Sequence, residues 1–255
     1  MKNCTPLRLF SLVAAVFVIG CMSASTTAFA AEPDKQAASP AKGDEIASQV
    51  IDAYGGKANL AKVNTIYSRG YSRLYNTDND GWVTRYVRHP LMLRVDFGYH
   101  NMPETRIINN KQGWLHVGTA AKKDADKPAY EGMVFQYNYM RLPFELANMG
   151  KSIVYKGKEK LGKAQVDVVL VKGMNGMDLT LYIDEATHLV AKVSGVVGAD
   201  AGKREVSVEL LDYKEVDKIK VPFKIINSVG STKVSETTFS KVVFNQEMAD
   251  SLFKP

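Results

Sequence analysis

From Thr65 onward the chain switches to a period of two. In the stretch TIYSRGYSRLY, Tyr67, Arg69, Tyr71, Arg73 and Tyr75 alternate with Ile66, Ser68, Gly70, Ser72 and Leu74. Successive side chains of a strand point to opposite faces, so this segment carries one Tyr/Arg face and one face of small and aliphatic groups. Short runs of similar character follow at 82–88, 91–97, 104–109, 113–118, 152–160, 164–172, 177–184, 188–195, 204–213, 221–229 and 232–244. Gly, Asn and Lys turns separate most of them, and Asn76 to Gly81 reads as a hairpin turn. So many short strands joined by tight turns predict a large antiparallel sheet curled into a barrel or sandwich.

Two helical segments frame this pattern. Asp44 is suited to cap a helix in which Ile46, Val50 and Tyr54 share one face and Gly55-Gly56 makes the stop. Asn59 to Val63 adds a turn. The second segment, YEGMVFQYNYMRLPFELANMG at 130–150, interrupts the strands. Met133, Tyr137 and Met140 are spaced for a helical face, and Pro143 is expected to open a second short helix that ends at Gly150. Asn245 to Phe253 reads as a closing turn with Met248 and Leu252 inward.

The N-terminus has the form of an export leader. The first 30 residues hold no acid; Lys2 and Arg8 precede an apolar run from Leu9 to Gly20. That run is shorter than the roughly 20 residues that span a bilayer. Two cuts compete. Ala28-Phe29-Ala30 would make residues 1–30 a signal peptide and start the mature chain at Ala31. Val18-Ile19-Gly20-Cys21 has the form of a lipobox, with a leader of residues 1–20 and acylation of Cys21. Residues 31–43 read as a disordered linker and 44–255 as one domain. A periplasmic protein follows from the first cut and a lipid-anchored outer-membrane protein from the second. The only cysteines are Cys4 and Cys21, so the Ala30 cut removes any disulfide or thiolate chemistry.

Charge and motifs argue against several classes. The net charge of +6 falls to +4 without Lys2 and Arg8, and no basic cluster stands out, so nucleic acid is not an expected partner. His89, His100, His116 and His188 have no metal-ligand spacing. Gly157 to Lys163 approaches a phosphate loop, but Ala164 stands where Ser or Thr is needed and a strand follows. No nucleophile elbow occurs. The expectation is no catalytic centre, no metal and no cofactor.

An excess of apolar side chains remains. Leu91, Leu93, Val95 and Phe97 share one strand face, Trp114 sits in the next hairpin, and Val166, Val168 and Leu170 form a similar stripe. The insertion adds Met133, Phe135, Met140, Leu142, Phe144, Leu146 and Met149. Methionine-rich surfaces adapt to varied apolar shapes. These side chains are either plain core or the wall of an apolar binding cavity.

The order of motifs resembles the bacterial outer-membrane lipoprotein carrier family, the Lol-type fold. The resemblance rests on Tyr54-Gly55-Gly56 with Leu60 and Val63-Asn64-Thr65, Arg88-His89-Pro90 before Leu91-Met92-Leu93-Arg94, and Asn109 to Trp114. It continues through Tyr182 to Val190 with its Asp-x-x-Thr turn, Asp212-Tyr213-Lys214 to Phe223, and Phe244-Asn245 to Phe253. It implies a fold that is mainly β with short helices: a half-open antiparallel β-barrel with a helical lid over an apolar cavity. It implies a non-enzymatic carrier for a lipid or the acyl chains of lipoproteins, with an inner-membrane transporter and an outer-membrane acceptor as delivery partners. The twelve apolar residues from Leu91 to Met149 named above would contact the ligand, and Arg94 would flank the mouth. A lid held mainly by its apolar face would open readily. An anchored acceptor acting through Cys21, and a lipid-sensing or interaction protein of an envelope complex with a filled core, are the competing readings.

Overall fold

The computed structural model describes residues 40–75, 77, 79–100, 102–148 and 153–255. The leader, Cys21, most of the expected linker, Met149 and Gly150 lie outside the described residues. The described chain opens with α1 (Pro40–Ala53) and α2 (Lys57–Leu60). Six strands follow: β1 (Thr65–Leu74), β2 (Asn79–Arg88), β3 (Met92–Tyr99), β4 (Glu104–Asn109), β5 (Gln112–Val117) and the short β6 (Lys123–Asp124). Then come α3 (Lys127–Leu146) and seven more strands: β7 (Ile153–Leu161), β8 (Ala164–Met174), β9 (Met177–Asp184), β10 (Val190–Val197), β11 (Arg204–Val216), β12 (Ile219–Val229) and β13 (Thr232–Phe244).

The strands form one antiparallel sheet of 13, in the order β6-β5-β4-β3-β2-β1-β13-β12-β11-β10-β9-β8-β7. All neighbours but one are consecutive hairpins. The exception is β1 against β13, which joins the two halves with Tyr67 opposite Val243 and Tyr71 opposite Thr238. The sheet stays open between edges β6 and β7, and α3 is the segment that connects them. Local chemistry sets the turns. Asp184 Oδ1 accepts hydrogen bonds from the Ala186 and Thr187 amides at 3.1 and 2.9 Å and from the Thr187 hydroxyl at 2.9 Å. That is an Asx turn, the mechanism behind the Asp-x-x-Thr spacing. Asn110, at φ 54°, supplies the left-handed residue of the β4–β5 hairpin.

Alternation places the faces as expected in β1. Ser68, Gly70 and Ser72 are buried, and Arg69, Tyr71 and Arg73 are exposed. The exposed ladder is held by edge-to-face packing of Tyr71 on Trp82 at 5.5 Å and by the Arg69 guanidinium over Trp82 at 5.1 Å. In β3, Leu93, Val95, Phe97 and Tyr99 are buried. Arg94 turns outward, where its Nε donates to Asp96 Oδ2 at 2.8 Å. In β8 the expected stripe is not the main-core one. Val166 and Val168 are buried, yet it is Val169 and Val171 that join the main core cluster. An unbroken apolar run does not say which face turns inward.

Three further expectations are corrected. Helix α1 begins at Pro40, so Asp44 lies inside it and residues 40–43 are helical rather than linker. Proline's fixed φ and missing N–H suit a first turn. Helix α3 is one helix of 20 residues, and Pro143 sits inside it instead of starting another. Only three residues follow Pro143 before the helix ends, so a single backbone bond is lost near the terminus. At the C-terminus Phe253, not Leu252, is the buried residue; it packs under the Arg88 guanidinium at 4.8 Å.

Helix α3 is also more than a lid. Every residue from Met133 to Tyr139 is buried, so the helix is enclosed on all sides over two turns. It packs on β3, β4 and β5 on one side, on β10 on the other, and against α1. Polar ties add to the apolar contact. Asn138 Nδ2 donates to the Met174 carbonyl at 3.0 Å, Arg141 Nη1 to the Val63 carbonyl at 2.9 Å, and the Gly198 amide to Glu131 Oε2 at 2.6 Å. The Leu91 amide donates to the Tyr137 hydroxyl at 3.0 Å. Burial pushes the Tyr137 hydroxyl up to about 12 from its usual 10, because the phenolate is disfavoured away from water.

The folded state therefore keeps the Tyr137 proton that an unfolded chain gives up near pH 10. The stability this supplies is complete below pH 10 and is lost as pH rises from 10 towards 12. Chemical denaturation across that window is expected to show a smaller loss for Tyr137→Phe than for the parent. An identical decline in both would contradict the burial argument.

Candidate functional site

Inner faces of the sheet and the first half of α3 enclose a cavity of about 510 Å³. Small-molecule pockets span roughly 300–1,000 Å³. One wall is apolar: Phe97 from β3, Leu115 from β5, and Met133 and Phe135 from α3. Phe97 and Tyr99 stack at 5.1 Å along it. Strands β11 to β13 contribute Val206, Val229 and Val234 together with the small polar groups Ser207, Asn227, Ser235 and Thr237. The polar groups are tied sideways. Thr237 donates to the Ser72 hydroxyl at 3.0 Å, and Asn227 to Ser235 at 3.0 Å. Gly132 of α3 also lines the cavity, and nothing lies within 4 Å of where its Cβ would sit.

Three charged residues border this space: Arg85, Glu104 and Arg106. Arg106 Nε donates to Glu104 Oε1 at 2.5 Å, and its guanidinium lies 5.0 Å from the Phe97 ring. These two are partly exposed and neutralise each other. Arg85 is different. It is 3% exposed, on the inner face of β2 between Val83 and Val87, opposite Ser68 and Val95. Its guanidinium packs 4.5 Å from the Phe239 ring. No carboxylate lies within ion-pair distance of it among the described residues. Burial lowers its pKa from the usual arginine value, with the Tyr139 and Tyr99 hydroxyls as its main electrostatic supports and Arg106 opposing.

Five buried side-chain polar atoms among the described residues make no hydrogen bond to protein. Three of them, Arg85 Nε, Gln136 Oε1 and the Tyr139 hydroxyl, belong to residues that line this one cavity. Such atoms cost about 1–3 kcal/mol each when left unpaired. Arg85 and Tyr139 also border a second, apolar pocket of about 70 Å³, with Met140, Phe144, Phe239 and Phe244. A hollow of about 620 Å³ elsewhere, near Asp178, Gly198 and Lys203, is bordered by none of the five residues.

The expected ligand contacts divide. Phe97, Met133 and Phe135 line the main cavity, and Met140 and Phe144 line the apolar pocket beside it. Leu93, Val95 and Leu142 are 0% exposed and Leu146 is buried; all four are solid core bordering neither space. Leu91 packs on the core at the β2–β3 turn, and Trp114 lines a separate cleft with Lys111 and Tyr130. Met149 lies outside the described residues. The polar members of the site were not anticipated. For Arg85 the signal was present: VTRYV alternates, which puts Arg85 on the same face as Val83 and Val87. Tyr99 continues the Leu93, Val95, Phe97 series by one step.

Known structures share this architecture. A domain from Vibrio parahaemolyticus described as that of an outer membrane lipoprotein-sorting protein superposes with a TM-score of 0.53 at 14% identity, over 85% of this chain and 97% of its own. A DUF1329 family protein from Desulfovibrio piger does so with a TM-score of 0.56 at 9% identity, over 84% and 96%. A LolA superfamily protein from Nitrosomonas europaea covers 82% of this chain and 97% of its own at 9% identity, with a TM-score of 0.49. No family model and no curated protein sequence matches the chain. At these identities the likeness is one of fold: the chain shares the fold of the lipoprotein-sorting domain and of the DUF1329 family protein, here an open, mainly antiparallel β structure around a helix.

Proposed function

We propose that the protein is a non-enzymatic binding protein of the bacterial envelope that holds a lipid, or the acyl chains of a lipoprotein, between the curled sheet and α3. The observation that carries this is the cavity of about 510 Å³ walled on one side by Phe97, Leu115, Met133 and Phe135. Each methylene moved there from water is worth about 0.8 kcal/mol, so even part of an acyl chain gives useful affinity. The fold shared with a lipoprotein-sorting domain supports the same reading. The leader with its competing Ala30 and Cys21 cuts supports export, to the periplasm in the first case and to a membrane anchor in the second. Transfer from an inner-membrane transporter to an outer-membrane acceptor is the route such a carrier would serve.

The polar ties of α3 bear on how a ligand enters. Four side-chain hydrogen bonds hold the helix to both halves of the sheet, so uptake by swinging the whole helix away is costly. Entry past the partly exposed Glu104–Arg106 pair breaks none of them.

Gly132 offers the direct test, because a side chain there points into open space rather than into packed atoms. Gly132→Phe is expected to fold normally and to lose uptake of a fluorescent fatty acid by about tenfold or more, through steric filling of the cavity. Gly132→Ala, which removes a helix-interior glycine, is expected to bind and to gain roughly 0.5–1 kcal/mol of stability. Unchanged uptake by Gly132→Phe would reject this cavity as the binding site.

A further inference from the structure

The cavity is not evenly apolar, and its polarity is concentrated. Of its three charged lining residues, Glu104 and Arg106 form a pair, so the excess is the single positive charge of Arg85. That charge is 3% exposed, without a carboxylate partner among the described residues, and its Nε has no hydrogen bond to protein. Buried guanidinium groups are normally paired, because the charge loses hydration that only an anion or several acceptors replace. An apolar residue at the same inward position would continue the Val83 and Val87 stripe at no such cost.

One other unpartnered donor stands at the same place: the Tyr139 hydroxyl, which lines the same cavity and has no hydrogen bond to protein. A guanidinium and a phenolic hydroxyl both donate hydrogen bonds to an oxyanion. Beyond them lie apolar groups on both sides: Phe97, Met133 and Phe135 in the main cavity, and Met140, Phe144 and Phe244 in the pocket across the partition.

Resting on the carrier reading above, we infer that the ligand is an anionic amphiphile, whose carboxylate or phosphate group pairs with Arg85 and accepts from the Tyr139 hydroxyl while its chain lies along the Phe97–Met133–Phe135 wall. This selects within the carrier reading. The acylated end of a lipoprotein carries no negative charge and leaves the guanidinium unmatched. A fatty acid or a lipid with a phosphate head matches it.

The test uses the purified mature chain and three amphiphiles of one chain length: a fatty acid, an alkyl phosphate and a fatty alcohol. Binding is measured by displacement of a neutral fluorescent probe, in parallel with thermal unfolding. The parent is expected to bind the fatty acid, the phosphate or both about tenfold or more tightly than the alcohol. The two anionic arms tell which head is preferred. Arg85→Leu is expected to keep alcohol binding, to lose the anionic preference, and to unfold at an equal or higher temperature, since it removes an unmatched buried charge. Arg85→Gln serves as the second variant and is expected to lose the same preference.

Equal binding of all three amphiphiles by the parent would overturn the inference and leave the carrier reading standing. So would an anionic preference that survives both substitutions. A lower unfolding temperature for both variants with the preference intact would make Arg85 a structural residue. Binding of none of the three by the parent would overturn the carrier reading and this inference together.

Discussion

Burial of one helix inside an open sheet is the constraint on which the structure depends. Thirteen antiparallel strands with free edges at β6 and β7 would expose a wide apolar face. Helix α3 covers that face from within, and the chain cannot place it elsewhere, because α3 is the connection between the two edges. Its enclosure from Met133 to Tyr139 explains why a mixed sequence of apolar and polar residues is needed. Tyr137, Asn138 and Arg141 each meet a backbone group of a different part of the fold. A purely apolar helix would slide; these bonds fix its register.

The same helix leaves space at its first half and fills it at its second. Gly132 faces the cavity, whereas Leu142 and Leu146 lie in close-packed core. Arg85 and Tyr139 mark the boundary between the main cavity and the small apolar pocket. The division follows from side-chain size. Ser207, Ser235 and Thr237 on the facing strands are short, while Phe244 at the end of β13 packs 5.9 Å from Phe144 of α3.

Much of the fold was legible in the sequence for local reasons. Strand alternation and turn chemistry are short-range, so the twelve longer strands and turns such as Asp184–Thr187 could be read directly. Features set by tertiary contact could not. The β1–β13 pairing joins residues some 170 positions apart, and no local pattern carries it. The facing of the apolar run Val166 to Val171 depends on what packs against it. Pro143 looked like a helix start because its tolerance near a helix end is a matter of which bond it removes. In the site, a search for apolar stripes found Phe97, Met133 and Phe135 but also Leu93, Val95 and Leu142, since core and cavity wall have the same composition. Arg85 was visible as a charge between Val83 and Val87 on an inward strand face, a signal of polarity rather than of hydrophobicity.

Native mass spectrometry of the chain made with its own leader tests the central claim most directly. The account predicts adducts of lipid mass that leave on denaturation, in a series spaced by methylene or two-carbon units. A bare chain before and after incubation with fatty acid would contradict it.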